Sequence, residues 1–213
     1  MKYNTIRLLS LLLLLIPLHA YSLNLDHMLD KGPLITINRD SHEEFESITT
    51  YALICAPVSY VWDTVLKIED YAQHMPRMVK SEVVQRNAED TEIIAEFELD
   101  TAINNTKYKL KYCIDANNRT ITIYHYSGAL KGSRWHWEFQ AQGADTIIIC
   151  TGGSKNLSLF IKAIDDRTQT ITVGINIMSM LANINYIKER SELLYKAAQG
   201  VSKKVELSNP DGP

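Results

Sequence analysis

Residues 54–79 read ICAPVSYVWDTVLKIEDYAQHMPRMV, and the folding of this stretch sets the architecture around it. A strand-like run from Tyr51 to Cys55 stops at Ala56-Pro57, and proline suits the start of a helix because its missing N–H would have no partner there. Val58, Val61, Trp62 and Val65 then recur at spacings of three and four, which puts one bulky apolar stripe on a single helix face with Asp63 and Lys67 off it. That face must be buried, and Trp62 is expected to pack under the sheet edge. A second helical piece, Glu69 to His74, ends at Met75-Pro76, since the residue before a proline is pushed out of the α region.

The order strand, Ala-Pro, helix with Val-Trp, Asp-Tyr, Met-Pro, strand resembles the opening of the START-like superfamily, which includes polyketide cyclases and coenzyme Q-binding proteins. The residues that carry the resemblance are Ala56, Pro57, Val61, Trp62, Asp70, Tyr71 and Pro76. It implies an α+β helix-grip fold, a seven-stranded antiparallel sheet wrapped around a long C-terminal helix with an apolar cavity between them. The likeness extends over roughly residues 33–205, the span of one domain.

Lys2 and Arg7 precede an apolar run from Leu8 to Leu18, and Ala20 and Ser22 follow in an A-x-S arrangement, the pattern of a secretory signal peptide. The run falls short of the roughly twenty apolar residues needed to span a bilayer. Residues 1–22 are therefore expected to be removed, 23–207 to form one START-like domain, and 208–213 to be a flexible tail, with the chain loosening from Ser202 onward. Without Lys2 and Arg7 the formal charge is −5, a balance that argues against nucleic acid as a partner. Hydrophobic residues make up 46%, ordinary for a packed globular chain.

Leu23 to Leu29 reads as a turn of helix, broken by Lys31-Gly32-Pro33, with a short strand at Leu34 to Ile37 and another from Phe45 to Cys55. From Met78 the chain reads as hairpins. Val79 to Arg86 and Thr91 to Leu99 flank the turn cluster Asn87 to Asp90. Tyr108, Leu110, Tyr112 and Ile114 alternate with Lys107, Lys109 and Lys111, so one face is dry and the lysine face stays exposed. Arg119 to Tyr126, Arg134 to Ala141 and Thr146 to Thr151 follow, with Trp135, Trp137 and Phe139 on one face. These six or seven antiparallel strands need a covering layer. Between Gly174 and Val201, Ile177, Met180, Ile184, Ile187, Ser191, Leu194 and Ala198 form a stripe at helical spacing that supplies it. Residues 154–173 fit neither period.

No nucleophile motif, phosphate loop or H-x-x-x-H metal pair is present, and Gly152-Gly153-Ser154-Lys155 lacks the spacing that wraps a phosphate. No catalytic residue, metal ligand or cofactor is assigned. Cys55, Cys113 and Cys150 are odd in number, and free thiols are expected because disulfide geometry is strict; the fold that the resemblance implies makes the first and last strands neighbours, so a Cys55–Cys150 pair is conceivable, although antiparallel pairing would set Cys55 nearer residue 145. The alternation turns His125 inward with Ile121 and Ile123, and His136 outward with Arg134 and Glu138.

The fold that the resemblance implies sets two apolar patterns opposite each other. Tyr108, Leu110, Tyr112, Ile123, His125, Trp135 and Trp137 would line one concave face, and Ile184 and Ile187 would close it. The expected role is an exported binding protein for an apolar small molecule such as a lipid, isoprenoid quinone or polyketide, which leaves room for membrane contact during ligand exchange. Two alternatives stay open: a cyclase or dehydratase acting on an apolar substrate, for which His125 is the only acid or base at hand, and a domain that binds a macromolecular partner.

Overall fold

The computed structural model describes residues 25–100, 105–128, 131–153 and 168–207. The expected signal peptide at 1–22, most of the segment 154–173 and the tail at 208–213 lie outside the described residues. In chain order the elements are α1 (Leu25–Leu29), β1 (Leu34–Arg39), β2 (Phe45–Ile54), α2 (Val58–Leu66), a 3-10 turn (Ile68–Asp70), α3 (Tyr71–His74), β3 (Met78–Arg86), β4 (Glu92–Leu99), β5 (Thr106–Asp115), β6 (Thr120–Ser127), β7 (Arg134–Gln142), β8 (Asp145–Gly153) and α4 (Thr168–Leu207). No helix among the described residues is long and apolar enough to cross a membrane.

All strand pairs are antiparallel in one sheet of order β1-β2-β8-β7-β6-β5-β4-β3. The α+β helix-grip architecture is thus present, with eight strands in place of seven. The additional one is β1, whose Leu34–Asn38 segment runs in register along Tyr51–Ser47 of β2 and extends the sheet by an outer strand. From β3 to β8 consecutive strands are neighbours. Only β2 breaks this order: it pairs with β8, Ile54 facing Thr146 and Ile48 facing Gly152, so the two helices after it must cross to the far edge of the sheet.

That crossing is what the 54–79 stretch does. Ala56 is fully buried, and its carbonyl accepts the Thr146 hydroxyl at 2.8 Å, which ties the end of β2 to β8. Pro57 stands one residue before α2, as its N-cap, with φ −57° and ψ 147°, and its carbonyl receives the Tyr60 N–H at 2.9 Å. The buried stripe is Val61, Thr64, Val65 and then Ile68. Trp62 is half-buried and packs against the core, its ring meeting Phe139 of β7 edge-on at 5.3 Å. Tyr71 anchors the next turn: its hydroxyl donates to the Val65 carbonyl at 2.8 Å, and its ring packs on Tyr186 of α4 at 4.9 Å.

The face of the sheet away from α4 carries ions. Lys80 reaches Glu82 and Glu96, Lys109 reaches Glu96, Lys107 reaches Glu98 and Lys111 reaches Glu92, all within 3.5 Å, so Lys109 and Lys111 are half-buried by their ladder partners and only Lys107 is fully exposed. Helix α4 covers the other face. Met180, Ile184, Ile187 and Ser191 are buried, as the periodicity predicts, and the helix runs beyond the expected limits at both ends, to Thr168 and Leu207. Its C-terminal half is fixed to the end of β2: Lys188 Nζ donates to the Leu53 carbonyl at 2.7 Å, and Glu192 accepts the Cys55 N–H at 3.0 Å. All three cysteines are free, in keeping with the register that sets Thr146, not Cys150, opposite Ile54.

This packing predicts an asymmetry along one helix. Ile187→Ala, at a site 1% exposed, should cost about 2–5 kcal/mol in urea unfolding, whereas Leu193→Ala, 58% exposed, should change stability by less than about 0.5 kcal/mol. Equal losses would contradict the buried stripe.

Candidate ligand-binding cavity

An opening of about 700 Å³ lies between the concave sheet face and the N-terminal part of α4. Its floor comes from the inward positions of four strands: Phe97 and Leu99 on β4, Tyr108, Leu110 and Tyr112 on β5, Ile123 and His125 on β6, and Trp135 and Trp137 on β7. These positions coincide because the registers stack them, Phe97 against Tyr108, Tyr112 against Ile123, and Ile123 against Trp135. Val65, Tyr71 and the turn from Met75 to Met78 form the side wall.

All seven sheet residues expected at a site therefore border this space. Ile184 and Ile187 do not. Both are at most 1% exposed and belong to the packed core, next to the turns of α4 that Lys188 and Glu192 tie to the end of β2. The helix wall comes from earlier turns, Ile175, Met178, Ser179, Met180, Ala182 and Asn183. Also unforeseen were Arg77 and Asp100, which meet at the mouth: the Asp100 N–H donates to the Arg77 carbonyl at 2.8 Å.

Two glycines shape the site. Gly152 passes directly behind Trp135, where a Cβ would fall 2.8 Å from its Cα and 2.9 Å from its ring Cε3, so this indole can press against β8 only because residue 152 has no side chain. Gly128, with φ +91°, does the same beside Tyr108, where a Cβ would come within 2.7 Å of the tyrosine Cβ. Three rings then stand in a row across β4, β5 and β6: Phe97 and Tyr108 are 5.3 Å apart and 15° from parallel, Tyr108 and His125 5.8 Å apart and 21° from parallel.

Inside the mouth, the phenols and the imidazole of the wall are held uncharged. Burial pushes the phenols of Tyr71, Tyr108 and Tyr112 up, and pushes the imidazole of His125 down to about 4. His125 Nδ1 and Trp137 Nε1 are buried and have no hydrogen-bond partner among the described residues. His136 does point the other way, with Nδ1 3.0 Å from the Thr122 hydroxyl and Nε2 3.7 Å from Glu138. No group of three or more His, Cys, Asp or Glu among the described residues is placed to hold a metal ion. A neutral imidazole beside phenols, with no carboxylate against it, offers orientation to a ligand and little general-base strength near neutral pH.

No family model matches the chain, and no curated protein does. Solved structures do match in fold. The aromatase/cyclase Zhui from Streptomyces sp. R1128 shares 13% identity over 68% of this chain and 93% of its own, with a TM-score of 0.57. A START superfamily protein from Mycobacterium smegmatis shares 12% over 70% and 99%, with a TM-score of 0.55. A STAR-related lipid transfer protein from Xanthomonas axonopodis shares 13% over 76% and 94%, with a TM-score of 0.52. The fold is START-like; at these identities the likeness is one of fold alone.

Burial of His125 makes stability depend on pH. Folded His125 takes up its proton near 4, an unfolded histidine near 6.5, so between these limits the unfolded chain binds more protons. The contribution is complete above about 6.5 and is lost as pH falls toward 4. Wild-type stability should fall by about 1–2 kcal/mol from pH 7 to pH 5 through this group, and His125→Gln should flatten that part of the profile. Parallel profiles for the two proteins would show that the imidazole is not buried.

Proposed function

We propose that this chain is an exported binding protein that encloses one apolar small molecule, of the lipid, isoprenoid quinone or polyketide kind, between its sheet and C-terminal helix. The observation that carries the reading is the cavity, whose volume of about 700 Å³ falls in the range of small-molecule sites, roughly 300–1,000 Å³. Its walls are mostly apolar and aromatic, so removal of a ligand from water supplies the affinity, about 0.8 kcal/mol for each buried methylene before the costs of association. Export is supported by the segment 1–22, with its basic start, apolar run and small residues before Leu23.

Binding rather than turnover is favoured by the low basicity of His125, since a general base works best with a pKa near the operating pH. Names among the fold neighbours point in both directions, an aromatase/cyclase and a lipid transfer protein. Contact with a membrane during exchange is supported by Ile175 and Met178, which line the cavity and are 39% and 72% exposed. A macromolecular partner has no comparable support.

The test uses the indoles in the wall. Titration with a long-chain fatty acid or a short-chain ubiquinone should shift or quench tryptophan emission saturably. Ala182→Phe, which fills the space from the helix side without touching the core, should weaken that binding by at least about tenfold. Unchanged emission with every apolar probe, or equal binding by the filled variant, would remove the basis for this function.

A further inference from the structure

We propose that Arg77 is the head-group residue of this cavity, and that the ligand is a single-chain amphiphile with an anionic end, a carboxylate or a phosphate, held at the mouth. The inference deepens the binding function above and rests on it.

The first observation is backbone conformation. Met75–Met78 is a turn closed by the Met78 N–H on the Met75 carbonyl at 3.2 Å, with Pro76 second and Arg77 third at φ +65°. A proline followed by a residue of positive φ is the pattern of a type II turn, whose third position ordinarily takes glycine or asparagine. A side chain with a Cβ is disfavoured there. Glu43, Asp90 and Arg119 also have positive φ, but each lies in a hairpin connection. Of the four, Arg77 alone borders the cavity. An arginine thus occupies a glycine position in the one turn of this kind that borders the cavity.

The second observation is that this charge is unused. The lysines of the outer face pair with glutamates, whereas the Arg77 guanidinium has no ion pair or hydrogen bond with any described residue, Asp100 included. A guanidinium presents a planar fork of donors that matches carboxylate and phosphate oxygens.

The third is the rest of the lining. Among the described residues it holds no lysine and no second arginine, and His125 is neutral near pH 7. Cation and apolar bed are separated, the former at the mouth and the latter beneath the helix, which is the layout of an amphiphile. A space of about 700 Å³ suits one chain. Asp100, at the same mouth, opposes an anionic head and so reduces the preference that Arg77 creates.

Dodecyl phosphate, dodecanoate and dodecanol share a tail and differ in the head. Titrated at about pH 8 below their micellar or solubility limits and followed by tryptophan emission, the two anions should bind about five- to tenfold more tightly than the alcohol. Arg77→Gly should abolish that preference, leave dodecanol binding unchanged and keep or raise the melting temperature, because glycine suits the turn; a purely structural arginine would lower it. Asp100→Asn should widen the preference. Equal binding of all three by the wild-type protein, or loss of dodecanol binding together with the anions in Arg77→Gly, overturns the head-group assignment and leaves the cavity function standing. Binding of none of the three overturns both. A preference between phosphate and carboxylate that disappears with Arg77→Gly supports the assignment and tells which anionic source the site takes.

Discussion

A single helix cannot cover the concave face of an eight-stranded sheet along its whole length while it is tied to one end of that sheet. Helix α4 is held where Lys188 and Glu192 satisfy the backbone at the end of β2, and there Ile184, Ile187 and Ser191 pack without a gap. Farther toward its N-terminus the helix spans strands β4 to β7, and the space beneath it stays open. Burial of the apolar face drives the packing; the tether determines where that packing stops. The cavity is the consequence.

The same constraint explains the placement of charge. Ions lie on the outer sheet face, where water screens them and each costs little. The inner face holds hydroxyls, indoles and one neutral imidazole, because an isolated charge moved into that space would lose its hydration without gaining a partner. Arg77 is outside this rule only because the Met75–Met78 turn carries it to the rim, where the guanidinium keeps its water. What the inner wall offers a ligand is therefore shape, apolar area and a few neutral polar atoms.

Much of this was legible before any coordinates. A strand-like run stood at each of the eight strands, β1 included, although the count expected was six or seven, because a run of four residues does not say whether it joins the sheet. The pairing of β2 with β8 followed from the fold, and the registers then aligned Tyr108 to Trp137 on one face. The helix stripe gave the buried side of α4 correctly, but not its height above the sheet: period alone cannot tell Ile184, in the core, from Ala182 and Asn183, which border the void. The height depends on where the helix is tethered, and the tethers join Lys188 to Leu53 and Glu192 to Cys55, pairs separated by more than a hundred residues. Arg77 was missed for another reason. Met-Pro announces a turn, yet nothing local says that the residue after proline takes a left-handed conformation, since an arginine there runs against the usual preference. The close approach of Gly152 to Trp135 and of Gly128 to Tyr108 emerges only from the pairing of distant strands.

The central claim is that the space under α4 is occupied in the living cell. Native mass spectrometry of the protein freshly purified from its own host tests this most directly. The account predicts a chain carrying one small molecule, released on activation and recovered by solvent extraction as an amphiphile of a single apolar chain. A spectrum that shows only the bare chain, with no extractable apolar compound, would contradict it.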